Sequence, residues 1–297
     1  MSRKSCLHVC VVVACLTGPV SAGNRHSAPA VELESIRTTQ IDGRITIDRD
    51  GNLIDYRIET KLLPQLQTML QKSAHDWKFQ PVLVAGQPVV AETKMRVTLA
   101  AQPHGKNYIV KVDNVIFPGG DPKARESDPI PQAVDISPKS LRTPSYPDDL
   151  LYVGVEGTVL LYIKVTPDGR VEEVVPFQSS LANVKGADRL LAKAIETMER
   201  SPTSAAKGWR FNVVVHNANA KPEDMSVSVP VSYQMWDRKQ AQAGIWRTEV
   251  RSKRKTPSWL SSDEDEQRIG VSDVADGEVM PLASAFRLVT NVVDMTL

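Results

Sequence analysis

Apolar and polar positions along this chain form one pattern that occurs twice. In the first copy, which begins near Gly43, Ile45 and Ile47 alternate with polar neighbours at the period of a half-buried strand. Asp50-Gly51 marks a hairpin turn, and Leu53 to Glu59 forms the returning strand. Leu63, Leu66, Leu70, Ala74 and Trp77 then recur at spacings of three and four, which is one face of a helix, and Pro64 suits its first turn. Trp77-Lys78-Phe79-Gln80-Pro81 ends that helix, Ala85-Gly86-Gln87-Pro88 turns the chain, and Val89 to Leu99 gives a third strand. The predicted order is strand, strand, helix, strand.

The second copy is longer and clearer. Val159 to Val165 is almost all apolar, as a well-buried strand would be. Pro167-Asp168-Gly169 turns the chain and Arg170 to Val175 returns it. Ala187, Leu190, Leu191, Ala194, Ile195 and Met198 keep helical spacing. Trp209-Arg210-Phe211 repeats Trp77-Lys78-Phe79, and Val227, Val229, Val231, Tyr233 and Met235 form a strictly alternating last strand. Pro230 lies inside that strand and lacks a ladder donor, so the pattern predicts an edge strand or a bulge. The fold class is therefore α+β, with two modules that each pack a small antiparallel sheet on one helix.

Composition narrows the function. The chain has 297 residues, 41% of them hydrophobic and 24% charged, with a net charge of +1, so no basic excess points to nucleic acid. Arg3 and Lys4, the apolar stretch Leu7 to Leu16 and the small residues Val20-Ser21-Ala22 predict a signal peptide over 1–22, cleaved after Ala22 into a periplasmic compartment. A second reading makes Val12-Val13-Ala14-Cys15 a lipidation site, which would anchor the protein to a membrane through Cys15. The three cysteines, Cys6, Cys10 and Cys15, all fall in this segment, so cysteine catalysis and cysteine metal sites are not expected.

Tyr146-Pro147, Glu156-Gly157, the apolar strand, Val165-Thr166-Pro167-Asp168-Gly169-Arg170-Val171, the helix and Trp209-Arg210-Phe211 stand in an order that closely resembles the C-terminal domain of TonB. The first copy resembles it through Asp50-Gly51, Trp77-Lys78-Phe79-Gln80-Pro81 and Gly86-Gln87-Pro88, without a counterpart to Tyr146-Pro147. The resemblance implies a non-enzymatic binding module. It pairs an edge strand with an extended segment of an outer-membrane transporter, or of another envelope protein, by β-augmentation. By position the pairing residues are Ser226, Val227, Ser228, Val229, Val231, Ser232, Tyr233 and Gln234, with Tyr146 and Pro147 at the module entrance. TonB has a membrane anchor and a long Pro-rich spacer. Here Gly23 to Asp42 spans roughly 70 Å even fully extended, so strand-mediated binding is expected without a force relay.

The resulting plan is a signal peptide over 1–22, a short segment over 23–42 and a degenerate module over 43–101. A linker with one strand, Tyr108 to Phe117, follows over 102–139, then the clear module over 140–236 and a charged tail over 237–297. Its opposite charge blocks read as solvated or self-pairing, and its end, Leu282 to Leu297, is apolar enough to be a small docking element. Two other readings stay open: a structural protein whose edges are capped internally, and a small-ligand binder or enzyme with a cleft between the modules. No cofactor or metal is expected. Asp48 to Glu59 imitates a calcium loop, but Leu53 occupies the position that requires glycine. Ser179-Ser180 is expected to start a turn or cap the helix, and His26, His75, His104 and His216 keep no ligand spacing.

Overall fold

The first strand continues well upstream of Gly43, and Ile41 keeps the alternation of Ile45 and Ile47. The computed structural model describes residues 32–118, 123–124, 132–235, 243–261, 268–274 and 277–297. The predicted signal segment with Cys15, the terminal Trp236 of the second copy and the acidic run Asp263 to Glu266 lie outside the described residues. The first strand, β1, runs from Leu33 to Ile47, so half of the expected lead-in segment belongs to the sheet. It is followed by β2 (Leu53–Ile58), α1 (Pro64–Ala74), the short pair β3 (Leu83–Val84) and β4 (Gln87–Pro88), β5 (Ala91–His104), β6 (Asn107–Ile116) and β7 (Lys123–Ala124). Then come β8 (Val134–Ser140), α2 (Asp148–Tyr152), β9 (Glu156–Val165), β10 (Val171–Ala182), α3 (Asp188–Ala206), β11 (Arg210–Val215), β12 (Ser226–Tyr233), β13 (Arg247–Ser252) and β14 (Met280–Pro281).

Two stretches follow a similar order, β1, β2, α1, β5 with the short pair β3 and β4 ahead of β5, and β9, β10, α3, β12 with β11 ahead of β12. In both, the first strand lies between the other two. The main sheet runs β14-β12-β9-β10-β13-β1-β5-β6, with β2 beside the second half of β1 and β7 beside β5. All its pairings are antiparallel.

Each arrangement has its own core. Ile41, Ile45, Ile47, Leu70, Ala74, Trp77 and Phe79 fill the first, and Val159, Leu161, Ile163, Ile195, Met198, Trp209 and Phe211 the second. Side chains alternate across a strand, so Leu160 and Tyr162 on β9 face the other way. There they join a third core with Phe177, Leu260, Val271, Val274 and Met280. The unbroken apolar run of β9 is thus a strand buried on both faces. Both tight turns depend on glycine. Gly51 and Gly169 have φ of 77° and 80°, and a Cβ on either would collide with the carbonyl of Phe79 or Phe211. Those phenylalanines donate their N–H to the glycine carbonyls at 2.8 and 2.9 Å.

The structure also departs from the sequence expectations in the second copy, the linker and the tail. The returning strand expected to stop at Val175 extends to Ala182, so Ser179 and Ser180 are buried strand residues and neither starts a turn. The stretch read as a linker has its expected strand as β6, which joins the main sheet, and adds β8, which pairs with β11. The tail read as solvated contains β13, an inner strand between β10 and β1. Its charges are met inside the fold. Glu249 accepts hydroxyl hydrogen bonds from Thr38 (2.8 Å) and Ser272, and the Arg251 guanidinium grips Asp113 at 2.7 and 2.8 Å and Glu34 at 2.8 Å. No helix among the described residues is long and apolar enough to cross a membrane.

Candidate partner-binding edge

Backbone geometry decides what β12 can offer a partner. Its odd-numbered residues turn their peptide groups toward β9: the Val165 N–H donates to the Met225 carbonyl at 2.8 Å, and Val227, Val229, Val231 and Tyr233 continue in register against Ile163, Leu161, Val159 and Gly157. Antiparallel ladders alternate, so Ser226, Ser228, Pro230 and Ser232 turn theirs outward. The Leu282 N–H donates to the Ser226 carbonyl at 2.9 Å on that outer side. The donor that Pro230 lacks therefore falls on the outer edge, and the β9 ladder loses nothing, which explains how a proline sits in this strand.

The outer side carries β14, which pairs with Val227 and Ser228 through Pro281 and Met280. That ladder spans two of the eight residues of β12. The corresponding strand of the first copy, β5, pairs with β6 from Arg96 to His104 and with β7 at Ala91 and Glu92.

The predicted site residues come together in part. The Tyr146 hydroxyl donates to the Val155 carbonyl at 2.7 Å, and its ring meets Tyr233 edge-on with centroids 4.9 Å apart. Burial raises the hydroxyl pKa of both tyrosines. Pro147 is the extended residue ahead of α2, and its carbonyl accepts the first helical hydrogen bonds from Leu150 and Leu151. The Trp209 indole N–H donates to the Arg142 carbonyl at 2.8 Å, which ties the entrance segment to the core. Val227, Val229 and Tyr233 are buried in the second core, and Val231 packs against it half-buried. These side chains hold the strand in place, so what it can offer a partner is its backbone. Gln234 lies just past the strand.

The serines line the opposite face. Ser226 Oγ donates to the Pro222 carbonyl and accepts from the Trp259 indole at 3.1 Å, Ser228 Oγ donates to the Met280 carbonyl at 3.2 Å, and Ser232 and Thr158 share a hydroxyl contact at 2.9 Å. Met280, Leu282 and Trp259 were not predicted to touch this strand. A two-residue strand containing a proline has no period to read, and Trp259 sits in a charged stretch without alternation.

Other chemistry is sparse among the described residues. No group of three or more His, Cys, Asp or Glu residues is placed to hold a metal ion. His75 and His104 are exposed, and His216 Nε2 lies 2.7 Å from an Asp135 oxygen at the exposed end of β11. The imitation calcium loop is a hairpin turn: Asp48 Oδ1 accepts the N–H groups of Asp50 and Asn52, and the Asn52 side chain helps hold the carboxyl below its ordinary range.

Comparison with known proteins places the resemblance. The chain is 32% identical over 101 residues to the TonB proteins of two strains of Xanthomonas campestris pv. campestris. The matched stretch is 34% of this chain and 39% of each relative, so the chain spans about two fifths of the length of the curated relatives it matches. This similarity supports a TonB-like domain within the chain. No family model matches it, and no solved structure matches it.

Proposed function

We propose that β12 is a docking edge in the cell envelope, to which an extended segment of another protein adds as a further strand. An outer-membrane transporter is the first candidate partner, because the TonB resemblance implies one. The observation that carries this reading is the outer ladder of β12 with β14, which spans only two of its eight residues; Pro230 leaves the β9 ladder whole and costs that outer edge one donor. In β-augmentation the affinity comes from main-chain hydrogen bonds, each worth about 1 kcal/mol net, and the partner's alternate side chains give selectivity. On this reading 1–22 is an export signal, residues 43–101 and 140–236 are two TonB-like modules, and the protein works in the periplasm without catalysis.

Titrating extended transporter peptides into the purified full chain tests the proposal, with Ser232→Pro as the control. Ser232 turns its N–H outward, so the change blocks the edge and spares the β9 ladder. Saturable binding that Ser232→Pro removes, with the melting midpoint retained, is the expected result. A second reading, a structural protein with capped edges, is favoured by the cover that β6 gives β5. Absence of binding in the native chain would select it.

A further inference from the structure

The segment that reaches β12 from the C-terminal side has features of a temporary occupant. Met280 and Leu282 turn their peptide groups toward β12, which leaves Pro281 turned away. Its missing donor thus faces the side where another strand would add, so β14 ends the sheet. While it is seated, nothing can pair at Ser226 to Ser228.

Its attachment is local. Between Val274 and Phe286, Met280 is the one buried residue among those described, at 1% exposure against Leu160 and Tyr162. Glu278 adds an ion pair with the Arg96 guanidinium at 3.2 Å. Firm anchors lie on both sides. Asp273 accepts hydrogen bonds from Thr98, Asn114 and the Gly270 N–H, and Phe286 and Leu288 are buried in the first core. Beyond them the Val289 N–H pairs with the Lys78 carbonyl at 2.7 Å and the Leu297 N–H with the Val110 carbonyl at 3.0 Å. A segment tethered at both ends can leave its seat without unravelling the fold, and it returns at high effective concentration.

We infer that Met280–Leu282 is an internal competitor for the β12 edge, seated in the free protein and displaced by the incoming strand. The inference rests on the docking role proposed for β12 and adds its regulation. Partner affinity is set by how firmly the competitor sits, and the Glu278–Arg96 pair helps to hold that seat.

The test compares the full native chain with Leu282→Pro, which removes the N–H given to Ser226, and with Glu278→Gln, which weakens the ion pair and leaves β12 untouched. The probe is a labelled peptide of residues 277–283, followed by a transporter peptide. Amide exchange at Ser228 reports whether the seat has opened. The expected result is tighter binding of both peptides, at least about tenfold for Leu282→Pro and about threefold for Glu278→Gln, with faster Ser228 exchange. Equal affinity across the three proteins would overturn the competitor and leave the docking edge standing. No binding to any of them, with Ser228 exchange accelerated, would overturn both.

Discussion

The two halves of this molecule share a strand order and a turn chemistry and differ in how they are closed. In the first, Trp77 is buried at 1% exposure and its indole N–H meets no acceptor among the described residues, whereas in the second the Trp209 N–H donates to Arg142. The segment around Phe79 is covered by the distant residues 287–289, and the segment around Phe211 by β8. Among the described residues, outer strand β5 is paired along most of its length, and β12 is paired with β14 over two residues. The difference teaches that the core of this arrangement does not specify its use. The same helix-on-sheet packing serves as a sealed scaffold where β6 and β7 line its outer strand, and as a candidate edge where the described neighbour is the two-residue β14.

The comparison can be broken most severely at the tryptophans. Trp77→Ala and Trp209→Ala each remove a large buried side chain, and each is expected to cost about 4 kcal/mol in urea unfolding. A much smaller loss at either would contradict equivalent cores. Next come the turns. Gly51→Ala and Gly169→Ala each force a side chain into a left-handed conformation and against a phenylalanine carbonyl, for an expected loss of about 2 kcal/mol apiece. A difference between the two larger than about 1 kcal/mol would separate the turns that the geometry makes alike.

Replacing each tryptophan by phenylalanine isolates the hydrogen bond that only one of them makes. Trp209→Phe is expected to cost about 1 kcal/mol more than Trp77→Phe. Equal costs would mean that the Arg142 contact adds nothing.

The smallest effect concerns the sealed side and depends on pH. Burial, with Asp113 nearby, pushes the Asp273 carboxyl above its ordinary value of 3.8, against the pull of the Thr98 and Gly270 hydrogen bonds. The folded chain therefore holds this proton more tightly than the unfolded one. The stability from this group is fully present below 3.8 and is lost as pH rises through the shifted value. The native melting midpoint should fall relative to Asp273→Asn over that window. A parallel pair of curves would contradict the assignment.

Much of the skeleton was legible because local pattern and final burial agree. The isoleucines of β1, the unbroken run of β9 and Leu191, Ala194, Ile195 and Met198 of α3 end up where their periods place them, whereas Leu190, on the same predicted stripe, is exposed. Pro230 was legible as an edge marker because a missing donor has one tolerable orientation in an antiparallel strand. Leu282 to Leu297 was legible as a docking element, and Phe286, Leu288 and Val292 are buried in the first core, but the rest of the C-terminal path was not legible. Arg247 to Ser252 reads as a polar tail, yet Glu249 and Val250 are buried, because Thr38 and Asp113, far away in sequence, supply partners for Glu249 and Arg251. Charge density marks exposure only when no counter-charge folds back onto it. β14 was hidden for a different reason: two residues carry no periodicity, and the pairing is set by anchors at Asp273 and Phe286.

The central claim is that β12, and not its sealed counterpart β5, receives a partner strand. Backbone amide shifts of the isotope-labelled full chain, followed while an extended transporter peptide is added, test it most directly. The account predicts saturable changes confined to β12, β14 and the adjoining rows of β9. Changes centred on β5 and β6, or none at saturating peptide, would contradict it.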